Sequence, residues 1–226
     1  AKAAFPGWAA RPIKARRALI LAVADRIEAE AEDLARLLTQ EQGKPLPEAQ
    51  AEILYTCAFI RHLAGYDLPV KVIEDNDNRL VRQFRKPLGV VAAIIPWNFP
   101  VLIVAFKLPL ALLAGNTMVV KPAPTTPLTT LRLGEIMADV LPAGVVNIIT
   151  DQNDLGAMLT THPDVAKISF TGSTATGQKI MASAASTIKR LTLELGGNDA
   201  AIVLPGADPA KVAPGLFAGA FLNAGQ

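Results

Sequence analysis

Apolar side chains recur at steps of three and four residues through the first forty positions of the chain. This spacing, with Arg, Glu and Asp between the apolar residues, is typical of an amphipathic helix. The apolar positions that show it are Ile20, Val23, Ile27, Ala31, Leu34 and Leu38. Pro12 suits a first helical turn, and Gly43 with Pro45 ends a helix. We therefore predict one helix over 12–41 and a second over about 46–64.

Residues 70–87 change to a two-residue alternation of apolar and polar side chains. VKVIED and RLVRQFRK flank an Asn/Asp turn, which is typical of a β-hairpin. Its outward side chains are strongly basic, so we expect it at an edge of the molecule. Two interpretations stay open, a solvated surface hairpin and an oligomerisation arm.

From residue 89 onward, short apolar runs alternate with helical segments. The runs are GVVAAIIPW, NTMVVKPA, GVVNIIT, VAKISFTG and RLTLELGG, and their Val and Ile content is typical of buried parallel strands. Helices are predicted between them over 100–114, 127–140, 153–161 and 173–186. The strand ends are each about one βαβ unit apart. We therefore predict an α/β fold with an open parallel sheet and flanking helices.

Composition narrows the possible functions. The 226 residues are 51% hydrophobic, and the net charge is +2 with no basic block, which argues against a nucleic-acid groove or an anionic membrane surface. There is no uncharged apolar run of about 18 residues, so no membrane span is predicted.

The first residues lack the apolar core of a signal peptide, and the single cysteine, Cys57, excludes an internal disulfide. We therefore expect a cytoplasmic location.

Unusual residues follow four of the five predicted strands. They are Pro96-Trp97-Asn98-Phe99-Pro100, Lys121-Pro122-Ala123, Thr171-Gly172-Ser173-Thr174 and Glu194-Leu195-Gly196-Gly197. Ligands of open α/β sheets bind just beyond the carboxyl ends of the strands. We therefore expect these four segments to form one site.

Each segment has a functional and a purely structural interpretation. GSTATG at 172–177 suits a phosphate at a helix N-terminus, or an ordinary turn in which Ser173 caps the helix. Lys121 can reach a ribose hydroxyl or phosphate, or extend from a sheet edge into solvent. Asn98 can donate to a developing oxyanion or cap a helix. Glu194 suits a general base in a partly desolvated cleft, or a carboxylate in solvent.

His62, His162 and Cys57 suggest no further chemistry. We expect His62 within a helix, His162 in a turn before Pro163, and Cys57 as an inert buried thiol. Two histidines and one cysteine predict no metal site.

The segments IIPWNFP, VVKPA, ISFTGST and LTLELGG, in this order and spacing, resemble the NAD(P)-dependent aldehyde dehydrogenase superfamily. The resemblance extends over essentially the whole chain, and LNAGQ at 222–226 resembles the segment that precedes the family's nucleophilic cysteine. It implies a Rossmann-like cofactor domain, oxidation of a small aldehyde to an acid, NAD or NADP as cofactor, and a homo-oligomer. Asn98 resembles the side-chain half of the oxyanion hole, and Glu194 the general base that activates water.

The cofactor-binding roles are carried over from the resemblance in the same way. Lys121 resembles the lysine that contacts the adenosine ribose. The turn and helix that face the pyrophosphate are matched by Gly172, Ser173, Thr174, Ala175, Thr176 and Gly177. Ile95, Pro96 and Trp97 would line the cofactor cleft, and Leu195 and Gly196 would border the nicotinamide. Val101, Val104, Ala105 and Leu108 could contribute to the substrate funnel.

The resemblance also predicts a division of the chain. We expect N-terminal helices of the cofactor domain over 1–69, a hairpin of the oligomerisation domain over 70–88, the dinucleotide-binding domain over 89–196 and the start of a catalytic domain over 197–226. In the last part, 200–205 resembles a strand and 208–223 a helix.

The sequence departs from the family pattern in three places. Pro124 stands where a ribose-binding glutamate is common, which leaves NAD against NADP open. Thr150-Asp151 stands where a glycine commonly follows the strand. The nucleophilic cysteine is expected two residues after Gln226, so we expect an inactive N-terminal half of a longer enzyme. The alternatives are a stand-alone nucleotide-binding or regulatory protein and a related acyl-phosphate or semialdehyde reductase.

Overall fold

The computed structural model describes residues 1–226. The helices are α1 Phe5–Ala9, α2 Ile13–Ala29, α3 Ala31–Gln42, α4 Leu46–Ala64, α5 Leu102–Leu113, α6 Leu128–Val140, α7 Leu155–Thr161, α8 Thr174–Ala185, α9 Pro209–Ala220 and the short α10 Leu222–Gly225. The strands are β1 Lys71–Asn76, β2 Arg79–Gln83, β3 Val90–Ile94, β4 Thr117–Lys121, β5 Val146–Ile148, β6 Val165–Gly172 and β7 Arg190–Leu195.

Five strands form one parallel sheet in the order β5-β4-β3-β6-β7. The first of these strands in the chain, β3, lies at the centre, so the chain adds β4 and β5 on one side and then β6 and β7 on the other. The carboxyl ends of β3, β4 and β6 are in register, since Ile94 pairs with both Lys121 and Phe170. This reversal of strand order creates the crevice in which open α/β sheets bind ligands. The predicted fold class is confirmed.

Apolar cores lie on both faces of the sheet. The larger one lies between the helices α2, α3, α4, α5 and α6 and one face of the sheet. It includes the fully buried Trp8, Ile20, Leu38 and Leu112. The smaller core lies under α7 and α8 and contains Ile168, Phe170 and Ile180. Both cores fix the strand ends from which the candidate site is built.

The single helix predicted over 12–41 is wrong. Glu30 leaves the helical conformation (φ −109°, ψ 17°) and separates α2 from α3. The break lets α3 pack against both α4 and α6. Because the apolar spacing continues through the break, the sequence pattern does not reveal it.

The hairpin of β1 and β2 forms a separate antiparallel sheet, and most of its side chains are exposed. The strand expected over 200–205 is not formed, since this segment has no neighbouring strand to accept its backbone hydrogen bonds and Ile202 is 81% exposed. α9 falls within the expected 208–223, but none of its residues is buried. No helix of the structure combines the length and the apolar character needed to cross a membrane.

Candidate functional site

Two adjoining cavities lie at the carboxyl edge of the sheet. The large cavity has a volume of about 740 Å³ and the small cavity about 310 Å³. Their shared wall is formed by Pro96, Trp97, Thr171, Gly172 and Ser173. The two therefore form one cleft across the ends of β3 and β6, and the large cavity has the size of a typical small-molecule site.

The N-terminus of α8 opens onto this cleft. Ser173 is its N-cap, and the Thr176 backbone N–H donates to Ser173 Oγ at 3.3 Å. The first turn of a helix leaves N–H groups without helical acceptors, and the helix dipole adds a partial positive charge. The expected serine cap is confirmed, and this helix end suits an anion.

Two glycines permit close packing at this helix end. A Cβ on Gly172 would lie 2.6 Å from the Phe170 ring, and a Cβ on Gly177 would lie 2.6 Å from Leu195 Cδ2. Neither residue has a positive φ. Their importance therefore lies in the space that they leave for these neighbouring side chains.

Lys121 ends β4 and lines the large cavity. Its ammonium donates to Asp151 Oδ1 at 2.6 Å and to the Pro122 backbone oxygen at 3.2 Å. The side chains of Lys121 and Asp151 are 6% and 0% exposed, so the alternative of a lysine extending into solvent is wrong. Burial raises the pKa of Asp151, but the hydrogen bond and charge of Lys121 outweigh it and hold that pKa below its usual value.

Asn98 lies in the loop between β3 and α5 and lines the small cavity. Its Oδ1 accepts from the Phe99 N–H at 3.1 Å, and α5 begins only at Leu102, with Val101 as N-cap. The alternative of Asn98 as a helix cap is therefore wrong. The backbone oxygen of Asn98 accepts from Lys44 Nζ at 2.9 Å and from Asn223 Nδ2 at 3.2 Å.

A buried ion pair supports the Asn98 loop from behind. Lys44 pairs with Glu52, and both side chains are 0% exposed. Glu52 Oε1 accepts from the N–H groups of Val101 and Leu102 at 3.0 and 3.1 Å. The pair therefore holds both ends of the segment from Asn98 to Leu102.

Glu194 lines the small cavity with Leu195, Gly196 and Gln226. It is exposed, so the expected partly desolvated cleft is wrong for this structure. The cause is its position at the end of β7, an edge strand with no further strand beside it.

Lys107 on α5 is a buried cation that was not predicted from the sequence. Its ammonium donates to Thr171 Oγ1 at 2.8 Å and to Ser169 Oγ at 3.3 Å. Burial lowers the pKa of Lys107 to about 8, although the charge of Glu194 raises it. The signal in the sequence was a lysine in an otherwise apolar helix.

The structure brings most of the predicted site residues together. The large cavity is lined by Ile95, Pro96, Trp97, Lys121, Gly172, Ser173 and Thr176, and the small one by Asn98, Glu194, Leu195 and Gly196 together with the shared wall. Thr174, Ala175 and Gly177 line neither cavity. Unpredicted lining residues of the large cavity include Asn153, Gly156, Thr160, Lys179 and Ser183.

Other expected roles have clear outcomes. Val101, Val104, Ala105 and Leu108 are all buried in the large core, so they cannot line a funnel. Cys57 is fully buried, which confirms the expected buried thiol. Burial raises the pKa of this thiol to about 11, which makes it a poor nucleophile at neutral pH. No group of three or more His, Cys, Asp or Glu side chains is arranged to hold a metal ion.

Comparison with known proteins identifies this architecture. The model of the aldehyde dehydrogenase family matches residues 1–226. The chain belongs to the aldehyde dehydrogenase family. It is 43% identical over 232 residues to the succinate-semialdehyde dehydrogenase [NADP(+)] of Escherichia coli, covering 100% of this chain and 48% of that protein. It is 42% identical over 231 residues to the phenylacetaldehyde dehydrogenase of Pseudomonas fluorescens, covering 97% and 46%.

A solved structure agrees with the fold. The crystal structure of PnpE in complex with nicotinamide adenine dinucleotide matches with a TM-score of 0.96 and 42% identity, covering 100% of this chain and 47% of that one. The chain spans about half the length of each of these three proteins.

Proposed function

We propose that the parent protein of this chain oxidises an aldehyde to a carboxylic acid with NAD+ or NADP+. The observation that carries this proposal is the continuity of the two cavities. An amide and a carboxylate, Asn98 and Glu194, line the small cavity, which shares a wall with a large cavity suited to phosphates. Family membership supports the same reaction class.

The large cavity fits a dinucleotide by its donor set. The N-terminus of α8 offers N–H groups to a pyrophosphate, and a Cβ on Gly172 would disturb the close packing there. Two lysines, Lys121 and Lys179, line the cavity and no carboxylate does. When bound, NAD(P)+ supplies an acceptor for hydride.

The chain's own residues would act at the aldehyde end of the cleft. The Asn98 Nδ2 group would donate to the aldehyde oxygen as negative charge develops on it. Glu194 would take a proton from the water that releases the acid.

The nucleophile of the proposed reaction lies outside this chain. We propose a cysteine two residues after Gln226, which would form a thiohemiacetal and, after hydride loss, a thioester that water hydrolyses. The half-length match to the relatives supports an N-terminal half. A cysteine codon at that place in the downstream reading frame would support this proposal, and a stop codon would contradict it.

The division of the chain and its assembly also belong to the proposal. Residues 1–69 and 89–196 would form the cofactor domain, 197–226 the start of the catalytic domain, and 70–88 an oligomerisation arm of a cytoplasmic homo-oligomer. The exposed hairpin side chains support the arm, among them Val72, Ile73 and Phe84.

Turnover by the purified parent protein tests the proposal. NAD(P)H and carboxylic acid should form in equal amounts from a panel of aldehydes. Asn98→Ala should lower kcat about 10²–10³-fold, as loss of one oxyanion donor does, whereas Asn78→Ala in the hairpin turn should not. Dinucleotide binding without turnover on any aldehyde would instead favour a nucleotide-binding or regulatory protein.

A further inference from the structure

The buried ion pair of Lys121 and Asp151 has an unusual position. Lys121 lines the large cavity, whereas Asp151 lies behind it and does not line the cavity. Asp151 Oδ1 accepts from Lys121 Nζ at 2.6 Å, and its Oδ2 accepts from the Leu155 N–H at 3.1 Å. The carboxylate is therefore fixed by β4 on one side and by the start of α7 on the other.

The pair changes the electrostatic character of the cavity. Among its lining residues only Lys121 and Lys179 are charged, and Lys179 makes no salt bridge. A lysine without a partner at a cavity wall attracts phosphate as a point charge. With Asp151 in contact, the Lys121 charge is locally neutralised, while its remaining N–H can still donate to a neutral hydroxyl.

The position of Lys121 in the sheet indicates which part of a dinucleotide it would meet. Lys121 is the last residue of β4, and Glu194 is the last but one of β7. The two strands are three positions apart in the sheet, which is about 14 Å at the usual strand spacing. The α8 N-terminus lies between them, after β6. A dinucleotide with its reactive ring near Glu194 and its pyrophosphate at α8 would bring its adenosine ribose to Lys121.

We propose that Asp151 is a specificity-determining residue that disfavours a 2′-phosphorylated dinucleotide by holding Lys121 in a buried ion pair. This inference rests on the proposed dinucleotide site. A 2′-hydroxyl would accept a hydrogen bond from the remaining N–H of the ion-paired Lys121 ammonium. A 2′-phosphate would meet a cation whose charge is already compensated, and it would be repelled by the carboxylate behind it. Pro124, which lines the same cavity, supplies no acid, so Asp151 is the carboxylate that can exert this effect.

Binding of NAD+ and NADP+ to the full-length parent protein, measured by titration calorimetry, tests the inference. Asp151→Asn removes the charge at nearly constant shape, and Asp151→Ser removes it with a smaller side chain. Asp154→Asn is the matched control, because Asp154 is exposed, lies three residues away and makes no bond to Lys121. The readout is the ratio of the two dissociation constants, which cancels any general loss of affinity.

In both Asp151 variants the ratio should shift toward NADP+ by about tenfold, the effect of one uncompensated charge in a partly buried site. In Asp154→Asn it should stay within about twofold of wild type, since exposed charges contribute little. An unchanged ratio in both Asp151 variants that still bind NAD+ would overturn the inference. Loss of binding of both dinucleotides by both folded variants would also overturn it, because Asp151 would then be required for any dinucleotide. If the wild-type protein binds neither, the proposed dinucleotide site itself fails.

Discussion

Lys44 donates a hydrogen bond to the backbone oxygen of Asn98 at 2.9 Å while its ammonium is paired with Glu52 in the protein interior. The same ammonium lies 4.2 Å from the centre of the Phe99 ring. The Lys44 ammonium therefore fixes the backbone of Asn98, whose side chain is the candidate oxyanion donor. A buried charge of this kind is costly unless all its partners are present.

Removing one member of this pair should strongly destabilise the protein. Lys44→Met and Glu52→Gln should each lower the free energy of unfolding by about 3–5 kcal/mol, because each leaves the other polar group without its charged partner. Chemical denaturation measures both. The double variant should lose less than the sum of the two, since no unpaired charge remains.

A surface pair provides the control for this cycle. Arg36 and Glu32 are 2.6 Å apart, but both are largely exposed. Their substitution should leave the denaturation midpoint nearly unchanged. Equal losses for the buried and exposed pairs would contradict the role assigned to burial.

Gly172 and Gly177 should respond differently to the same added methyl group. Gly172→Ala would press on the buried ring of Phe170 and should destabilise the protein by about 1–3 kcal/mol. Gly177→Ala meets the end of the exposed Leu195 side chain, which can move, and it should be nearly neutral. Thermal unfolding of the two variants side by side checks this, and a larger loss for Gly177→Ala would refute the packing argument.

The low pKa of Lys107 predicts that its contribution to the free energy of unfolding depends on pH. Its pKa in the folded protein is about 8, below the value of about 10.4 in an unfolded chain. Between these values the unfolded state binds more protons, so this lysine's contribution to stability rises with pH. The stability of wild type relative to Lys107→Met should therefore increase from about pH 8 toward about pH 10.4, by on the order of 3 kcal/mol in total. Denaturation midpoints of the two proteins across this range measure the change, and a constant difference would show that Lys107 titrates normally.

The Ser173 cap should contribute to the stability of α8. Ser173→Ala removes the acceptor of the Thr176 N–H and should cost about 0.5–2 kcal/mol. Ser186→Ala, at the other end of the helix, removes only a 3.4 Å bond to the Ser183 oxygen and serves as the control. Similar thermal unfolding of the two variants would argue against the cap.

The strand ends could be predicted from the sequence because each strand of the parallel sheet appears as a short run with Val, Ile or Leu that leads to a polar residue. Asn98, Lys121, Ser173 and Glu194 were located in this way. Residues that act through tertiary contacts carried no such signal. Lys44 and Glu52 lie outside the predicted strands, and their burial depends on packing of the N-terminal helices against the Asn98 loop.

The environment of each site residue was also beyond the sequence pattern. Nothing in the run LTLEL distinguishes an edge strand from a central one, so the exposure of Glu194 could not be predicted. The ion pair of Lys121 with Asp151 depends on β4 and β5 being neighbours, which the order of runs along the chain does not determine. The break at Glu30 was hidden because apolar spacing persists through it.

The most direct test of the proposed reaction is a pre-steady-state measurement on the Glu194→Gln variant of the full-length parent protein. If Glu194 activates the water that releases the acid, hydride transfer should still occur. The variant should form about one equivalent of NAD(P)H per active site in a rapid burst, followed by turnover about 10²–10⁴-fold slower than wild type. Steady turnover at the wild-type rate would contradict the role of Glu194 and the site built around it.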